Sequence, residues 1–180
     1  MSNNQQVLGT EPVGKLLLKY SLPAIIGMMV NGLYNVVDRI FIGNMPGVGP
    51  LAITGLGVTM PIMTIIMAFG MLIGIGTSAR ISLKLGEHKR EEAEKHLGNA
   101  FTLIIIASVL ITIIGLVFMH KILGLFGASA DTEVYAREYM QIIFFGTIFN
   151  MLSFGLNHSI RSDGSPKVAM LSMLIGAGTN

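Results

Sequence analysis

Cysteine is absent from this 180-residue chain, so neither a disulfide nor a thiolate metal site is open to it, and the redox compartment stays undetermined. Charge is scarce as well: Asp, Glu, Lys and Arg make up 12% of the residues, against 52% hydrophobic. A soluble domain carries roughly twice that charged share. From Leu51 to Ala79 and again from Leu97 to Met119 there is no charged residue at all. Each run exceeds the roughly 20 residues that cross a bilayer as helix, which identifies an integral membrane protein. Residues 1–14 lack the short apolar core and small-residue cleavage site of a signal peptide, and read as a disordered cytoplasmic tail. No nucleophile–base pair and no P-loop is present, so neither hydrolysis nor ATP use is supported; the chain reads as a non-enzyme needing no organic cofactor and no nucleic-acid partner. Gly74-Ile-Gly76-Thr-Ser-Ala79 resembles a dinucleotide fingerprint on paper, but it sits inside an apolar run with no strand before it, and is rejected.

What is present is a set of long apolar segments, making an all-α polytopic helix bundle. Spans are expected at about residues 16–42, 51–85, 97–119 and 132–157, with an incomplete fifth at 166–180. Gly43-Asn-Met-Pro-Gly-Val-Gly-Pro50 forms a tight connector, and Pro23 and Pro61 are candidate kinks. Gly86 is placed to cap span two, Asp131 to cap span four with Glu133 on its positive end, and Ser165-Pro166 to open span five. Glu87 to His96 reads as a charged linker of one or two helical turns with a Glu91–Lys95 pair. Span five stops too soon after Lys167 to cross a bilayer, which reads as a fragment of something longer. With the N-terminus inside, the inner segments hold nine cations (Lys15, Lys19, Arg80, Lys84, Lys89, Arg90, Lys95, Arg161, Lys167) and the outer ones three (Arg39, Lys121, Arg137), so the N-terminus is expected in the cytoplasm.

One stretch carries chemistry. Asn31, Asn35 and Asp38 fall at i, i+4 and i+7 within span one, and Tyr34 lies four residues before Asp38, so a helix gathers them into one stripe. A carboxylate facing lipid costs several kcal/mol, which directs the stripe toward protein or a water-filled cavity, as a candidate ion or proton site. The blander reading makes Asp38 and Arg39 the hydrated outer end of the helix, since Tyr20 to Asp38 is about 27 Å at 1.5 Å per residue. Two amides deeper in the helix argue against it. In span four, Asn150, Ser153 and Asn157 share a face; they either line the same cavity or, more simply, are interhelical hydrogen bonds. Gly70, Gly74 and Ser78 most simply mean close helix packing. His88, Glu92 and His96 share a helical face that could hold a metal, although a solvated linker is the better reading. Met28, Met29, Met60, Met63 and Met67 offer an adaptable apolar surface, or ordinary membrane packing.

These residues resemble the MATE (multidrug and toxic compound extrusion) transporters. The likeness is carried by Leu22-Pro-Ala-Ile-Ile26 with Asn31-Gly-Leu-Tyr-Asn-Val-Val-Asp-Arg-Ile-Phe-Ile-Gly43, by the Gly70–Gly76 region, by Arg161-Ser-Asp-Gly-Ser-Pro166 and by Gly176-Ala-Gly-Thr-Asn180. The resemblance implies twelve helices in two six-helix lobes, of which this chain is the N-terminal part of one. It implies alternating access, with H⁺ or Na⁺ entering as drug-like organic cations leave through the cell membrane. It makes Asp38 the cation- or proton-binding acid, where Na⁺ is the one metal in view, and sets Tyr34, Asn35 and Asn180 around it. Asn31, Asn150 and Asn157 would line the cavity. Against the family pattern, a second acid about one turn beyond Asn180, helix six and the second lobe are missing, leaving the C-terminal half as the implied partner along with membrane lipids. Two other readings stand beside it, a non-catalytic membrane assembly subunit and a lipid-precursor flippase of the same architecture.

Overall fold

A computed structural model describes residues 12–179, apart from the side chains of Asn31 and Ala177. Among the described residues six helices follow in order: α1 Val13–Gly43, α2 Gly49–Gly86, α3 Arg90–Val117, α4 Met119–Leu125, α5 Ala130–Ser162 and α6 Pro166–Gly178. The α1, α2, α3 and α5 helices are each long and apolar enough to cross a membrane. Residues 1–11 and Asn180 lie outside the described residues, and with them most of the expected tail.

Helix ends follow local chemistry, and several differ from the expectation. The cap of α5 is Ser129 rather than Asp131: its hydroxyl accepts from the Thr132 N–H while the Thr132 hydroxyl accepts from the Ser129 N–H, a reciprocal capping box. Asp131 and Glu133 then sit in the first turn, where the helix dipole favours acids. After Gly86 the cap residue is Glu87, and the left-handed position falls on His88 (φ 63°) instead of a glycine. The charged stretch is mostly not a linker, because Arg90 to His96 form the opening turns of α3. Its ion pairs are Lys84 with Glu87 and Glu92, Lys89 with Glu87, and Arg90 with Glu94; Glu91–Lys95 is not among them. Beyond Val117 the chain breaks at Phe118 and continues as the short α4 where a loop was expected. Pro23 lies ten residues inside α1, an interior position where a proline removes a helical hydrogen bond.

The α2 and α5 helices form the most extensive contact, and α3 packs on both. Lipid offers little hydrophobic drive between helices, so association rests on close packing and interhelical hydrogen bonds. Among the glycines of α2, Gly74 comes nearest to α5: a Cβ there would lie 2.7 Å from the Gly155 carbonyl oxygen. Thr112 of α3 donates its hydroxyl proton to the Phe144 carbonyl oxygen at 2.9 Å. Ile62, Ile66, Ile104, Leu123, Met140, Phe144 and Met151 fill the space between α2, α3, α4 and α5. By contrast, α1 stands on the flank of this core. It touches α6 more than α2, and 11% of its most apolar window is buried, against 22–28% for the other three spans.

Candidate functional site

Because α1 stands off from the core, a cleft opens between α1, α2 and α5. Its larger part, about 440 Å³, is lined by Tyr34, Asn35 and Arg39 of α1, Met60, Met63 and Met67 of α2, and Asn150 and Phe154 of α5. A smaller part of about 120 Å³ adjoins it, with Tyr34, Asn35, Arg39, Met60 and Met63 common to both. The smaller part adds Asp38, Thr59 and Tyr139. The acid is half-buried and faces this space, so its helix presents it toward protein and not toward lipid.

The spacing of the stripe explains this arrangement. Tyr34, Asn35 and Asp38 occupy a shared sector of α1, and that sector is turned toward α2 and α5. On α5, Tyr139, Ile143, Gly146 and Asn150 step by four, three and four residues along one face of the cleft. Gly146 leaves room between the two polar positions. On the α2 side the apolar wall is largely methionine, a side chain whose three rotatable bonds let it conform to varied shapes; Ile142, Ile143 and Phe154 line the α5 side.

Asn150 lines the cleft, whereas Asn157 does not. Two turns further along the same face, α6 covers α5. Asn157 there donates to the Ala169 carbonyl oxygen (3.0 Å) and the Ser172 hydroxyl (3.2 Å), and accepts from Arg161 Nε (3.0 Å). It is a buried tie between two helices. The Asn31 side chain and all of Asn180 lie outside the described residues. Tyr139 escaped the sequence reading, although it sits eleven residues before Asn150 on the same helical face. Glu92, one of three residues with metal-ligand spacing, is held by Lys84 Nζ at 2.8 Å.

Chemically, the smaller part of the cleft gathers a carboxylate, two phenols, an amide, the Arg39 guanidinium and a buried threonine hydroxyl, which already donates to the Leu56 carbonyl oxygen at 2.7 Å. Oxygen-rich groups of this kind can hold a proton or a small hard cation. The larger part offers a conformable apolar wall next to them, suited to an amphipathic molecule.

Comparison with known proteins gives a consistent picture. A family model described as MatE matches residues 23–180. The multidrug export protein MepA of Staphylococcus haemolyticus (strain JCSC1435) is 31% identical over 168 residues, covering 92% of this chain and 36% of that protein. MepA of Staphylococcus aureus (strain MRSA252) is 28% identical over 171 residues, covering 94% of this chain and 37% of that protein. Among solved structures, a ligand complex of the MATE multidrug transporter DinF-BH matches with a TM-score of 0.86 at 42% identity, over 94% of this chain and 37% of that one. A MATE structure in complex with MaD5 matches with a TM-score of 0.88 at 29% identity, over 99% of this chain and 40% of that one. The chain therefore spans about 36–40% of the length of these relatives.

Proposed function

Since the chain belongs to the MATE family, whose model matches residues 23–180, we propose that it is the N-terminal part of a secondary active multidrug transporter. The complete protein exports drug-like organic cations in exchange for H⁺ or Na⁺. It sits in the cell membrane with its N-terminus in the cytoplasm, and the C-terminal half supplies the rest of the pathway.

In this reading Asp38 takes up the coupling ion, with Tyr34, Asn35 and Asn180 as its neighbours and Tyr139 joining them from α5. When Asp38 is charged it favours one arrangement of α1 against that oxygen-lined space; with a proton or Na⁺ on it, that preference is lost. Pro23 and Gly27 are where α1 would bend between the two shapes. Coupling follows because the two shapes differ in affinity for the cation, and a ligand shifts an equilibrium only by that difference. The drug occupies the methionine-walled cleft, with Asn31 and Asn150 as polar contacts. The observation that carries this reading is the meeting of Asp38, Tyr34, Asn35 and Tyr139 on one cleft within membrane-spanning helices.

The test is Asp38→Asn in the complete transporter, reconstituted in vesicles under an imposed H⁺ or Na⁺ gradient. Gradient-driven drug efflux is expected to disappear while drug binding persists. Efflux at the unsubstituted rate would overturn the assignment of Asp38.

A further inference from the structure

The helix order puts a second cavity at the opposite end of the bundle from Asp38, where α2 finishes, α3 begins and α5 finishes. It encloses about 380 Å³, with Leu85 and Leu97 among its apolar walls and Arg90, Glu94, Ser159 and Asp163 as its polar groups. Ser159 is 7% exposed, and its hydroxyl is the one buried side-chain polar atom among the described residues that has no hydrogen-bond partner. Other buried hydroxyls of the spans, at Thr59, Ser108 and Thr147, each bond a carbonyl of the preceding turn. Buried polar groups are ordinarily satisfied, so an unpartnered hydroxyl in the wall of a cavity points to something that enters the cavity and meets it.

The charges give the sign of that occupant. Arg90 Nε is already engaged by Glu94 Oε1 at 3.1 Å. Asp163 has no ion pair among the described residues, and it caps the C-terminus of α5. The helix dipole puts partial negative charge at that end, which adds to the carboxylate. Two carboxylates and a helix C-terminus therefore outweigh one guanidinium, and the cavity favours a cation. The last carbonyls of α5 are taken by Ser162, Asp163, Gly164 and Ser165, which leaves the Asp163 carboxylate and the Ser159 oxygen as acceptors, so the cation should carry N–H protons. The site lies where the apolar spans end, at the level where amphiphiles in a bilayer keep their head groups.

We propose that this cavity binds the primary ammonium head of an amphiphile, with the apolar body lying against Leu85 and Leu97. An ethanolamine phospholipid and a free long-chain amine both present that chemistry. The site is separate from the Asp38 cleft, so it stands whether or not coupling runs through Asp38.

The chain would be purified from vesicles holding equal amounts of ethanolamine and choline phospholipids with identical acyl chains, and the retained lipid weighed by native mass spectrometry. A parallel titration would use dodecylamine in vesicles of choline lipid alone. Preference for the ammonium head by about tenfold is expected, the scale of one charge-assisted contact. Asp163→Asn and Ser159→Leu should each reduce it to parity, with unchanged helical circular dichroism showing that the variants fold. Since Ser159→Leu crowds a helix interface, Asp163→Asn, at an exposed position, serves as the decisive variant if the other does not fold. Asp38→Asn should leave the preference intact. Retention of the ethanolamine lipid identifies a lipid occupant; binding confined to dodecylamine, with the same loss in Asp163→Asn, identifies a free amine. Equal retention of both lipids together with no dodecylamine binding, or a preference that survives Asp163→Asn, would overturn the proposal.

Discussion

Tyr139 and Asn157 show what a single side chain decides here. Tyr139 faces the same small space as Asp38 from a different helix, so its hydroxyl is placed to respond to the charge on the acid. In the complete transporter, Tyr139→Phe keeps the ring and removes the hydroxyl. We expect efflux to fall about tenfold at unchanged drug affinity, which a vesicle efflux assay beside a binding isotherm would read. Asn157 has a structural part instead. Two of its three hydrogen bonds tie α5 to α6 and the third holds Arg161 one turn on, so Asn157→Ala removes the tie and leaves Arg161 Nε short of an acceptor. A loss of about 1–3 kcal/mol is expected, measurable by titrating the chain with SDS in mixed micelles. The sequence made the Asp38 stripe legible because its members lie on one helix, at spacings the helix itself defines. Spacing on one helix says nothing about what covers each level of its face. Asn150 and Asn157 therefore looked equivalent, although only α6 separates their roles. Tyr139 was reachable by extending the Asn150 face back three turns, yet a tyrosine among charged neighbours at the start of a span carries little signal alone.

The elements themselves were largely readable from apolar run length, since no soluble alternative accommodates two uncharged stretches of that size. The breaks were less so. Phe118 interrupts a run of Ile, Leu and Val with no proline at the break, and the short α4 that follows gains its place by inserting Leu123 into the core between neighbouring helices. That is a tertiary cause, invisible to local pattern. The reading of the Gly70 and Gly74 region as close packing has a definite geometric form at Gly74. In Gly74→Ala the added Cβ would meet Gly155 backbone on α5 at 2.7–2.8 Å, so the two most closely packed helices must move apart. We expect about 1–3 kcal/mol of destabilisation, seen as a lower melting temperature in detergent. Gly76→Ala is the matched control, because nothing lies within 4 Å of its Cβ position, and it should melt no lower than the parent.

Across the described helices most of the charge lies toward the two ends of the bundle, and at the end away from Asp38 it forms a small network. Glu87 accepts from Lys89 and Lys84, and those bonds, Lys89 first, hold its carboxyl below the usual glutamate range. A depressed value means that the network contributes fully above the ordinary glutamate pKa, and is lost as pH falls through the lowered one. Amide exchange of residues 84–92, read by mass spectrometry, should therefore stay constant from neutral pH down to the usual carboxylate range. Intrinsic rates allowed for, protection should drop only below it. Loosening near pH 6 would contradict this assignment. The pairing pattern was not legible beforehand, because His88 turns the chain sharply enough to bring Lys84 beside Glu92 across the corner.

At the other end, Gly43 and Gly49 press their backbones together so closely that a Cβ on Gly49 would overlap the Gly43 carbonyl oxygen. That corner fastens the last turn of α1 to the first turn of α2, while the remainder of α1 has few attachments to the core. Such a helix is held at two places, this corner and the side of α6, where a Cβ on Gly27 would lie 3.0 Å from the Met173 sulfur. Asp38 lies between the two, a little over one turn from the corner, so a change in its charge would act on the stretch of α1 that joins them.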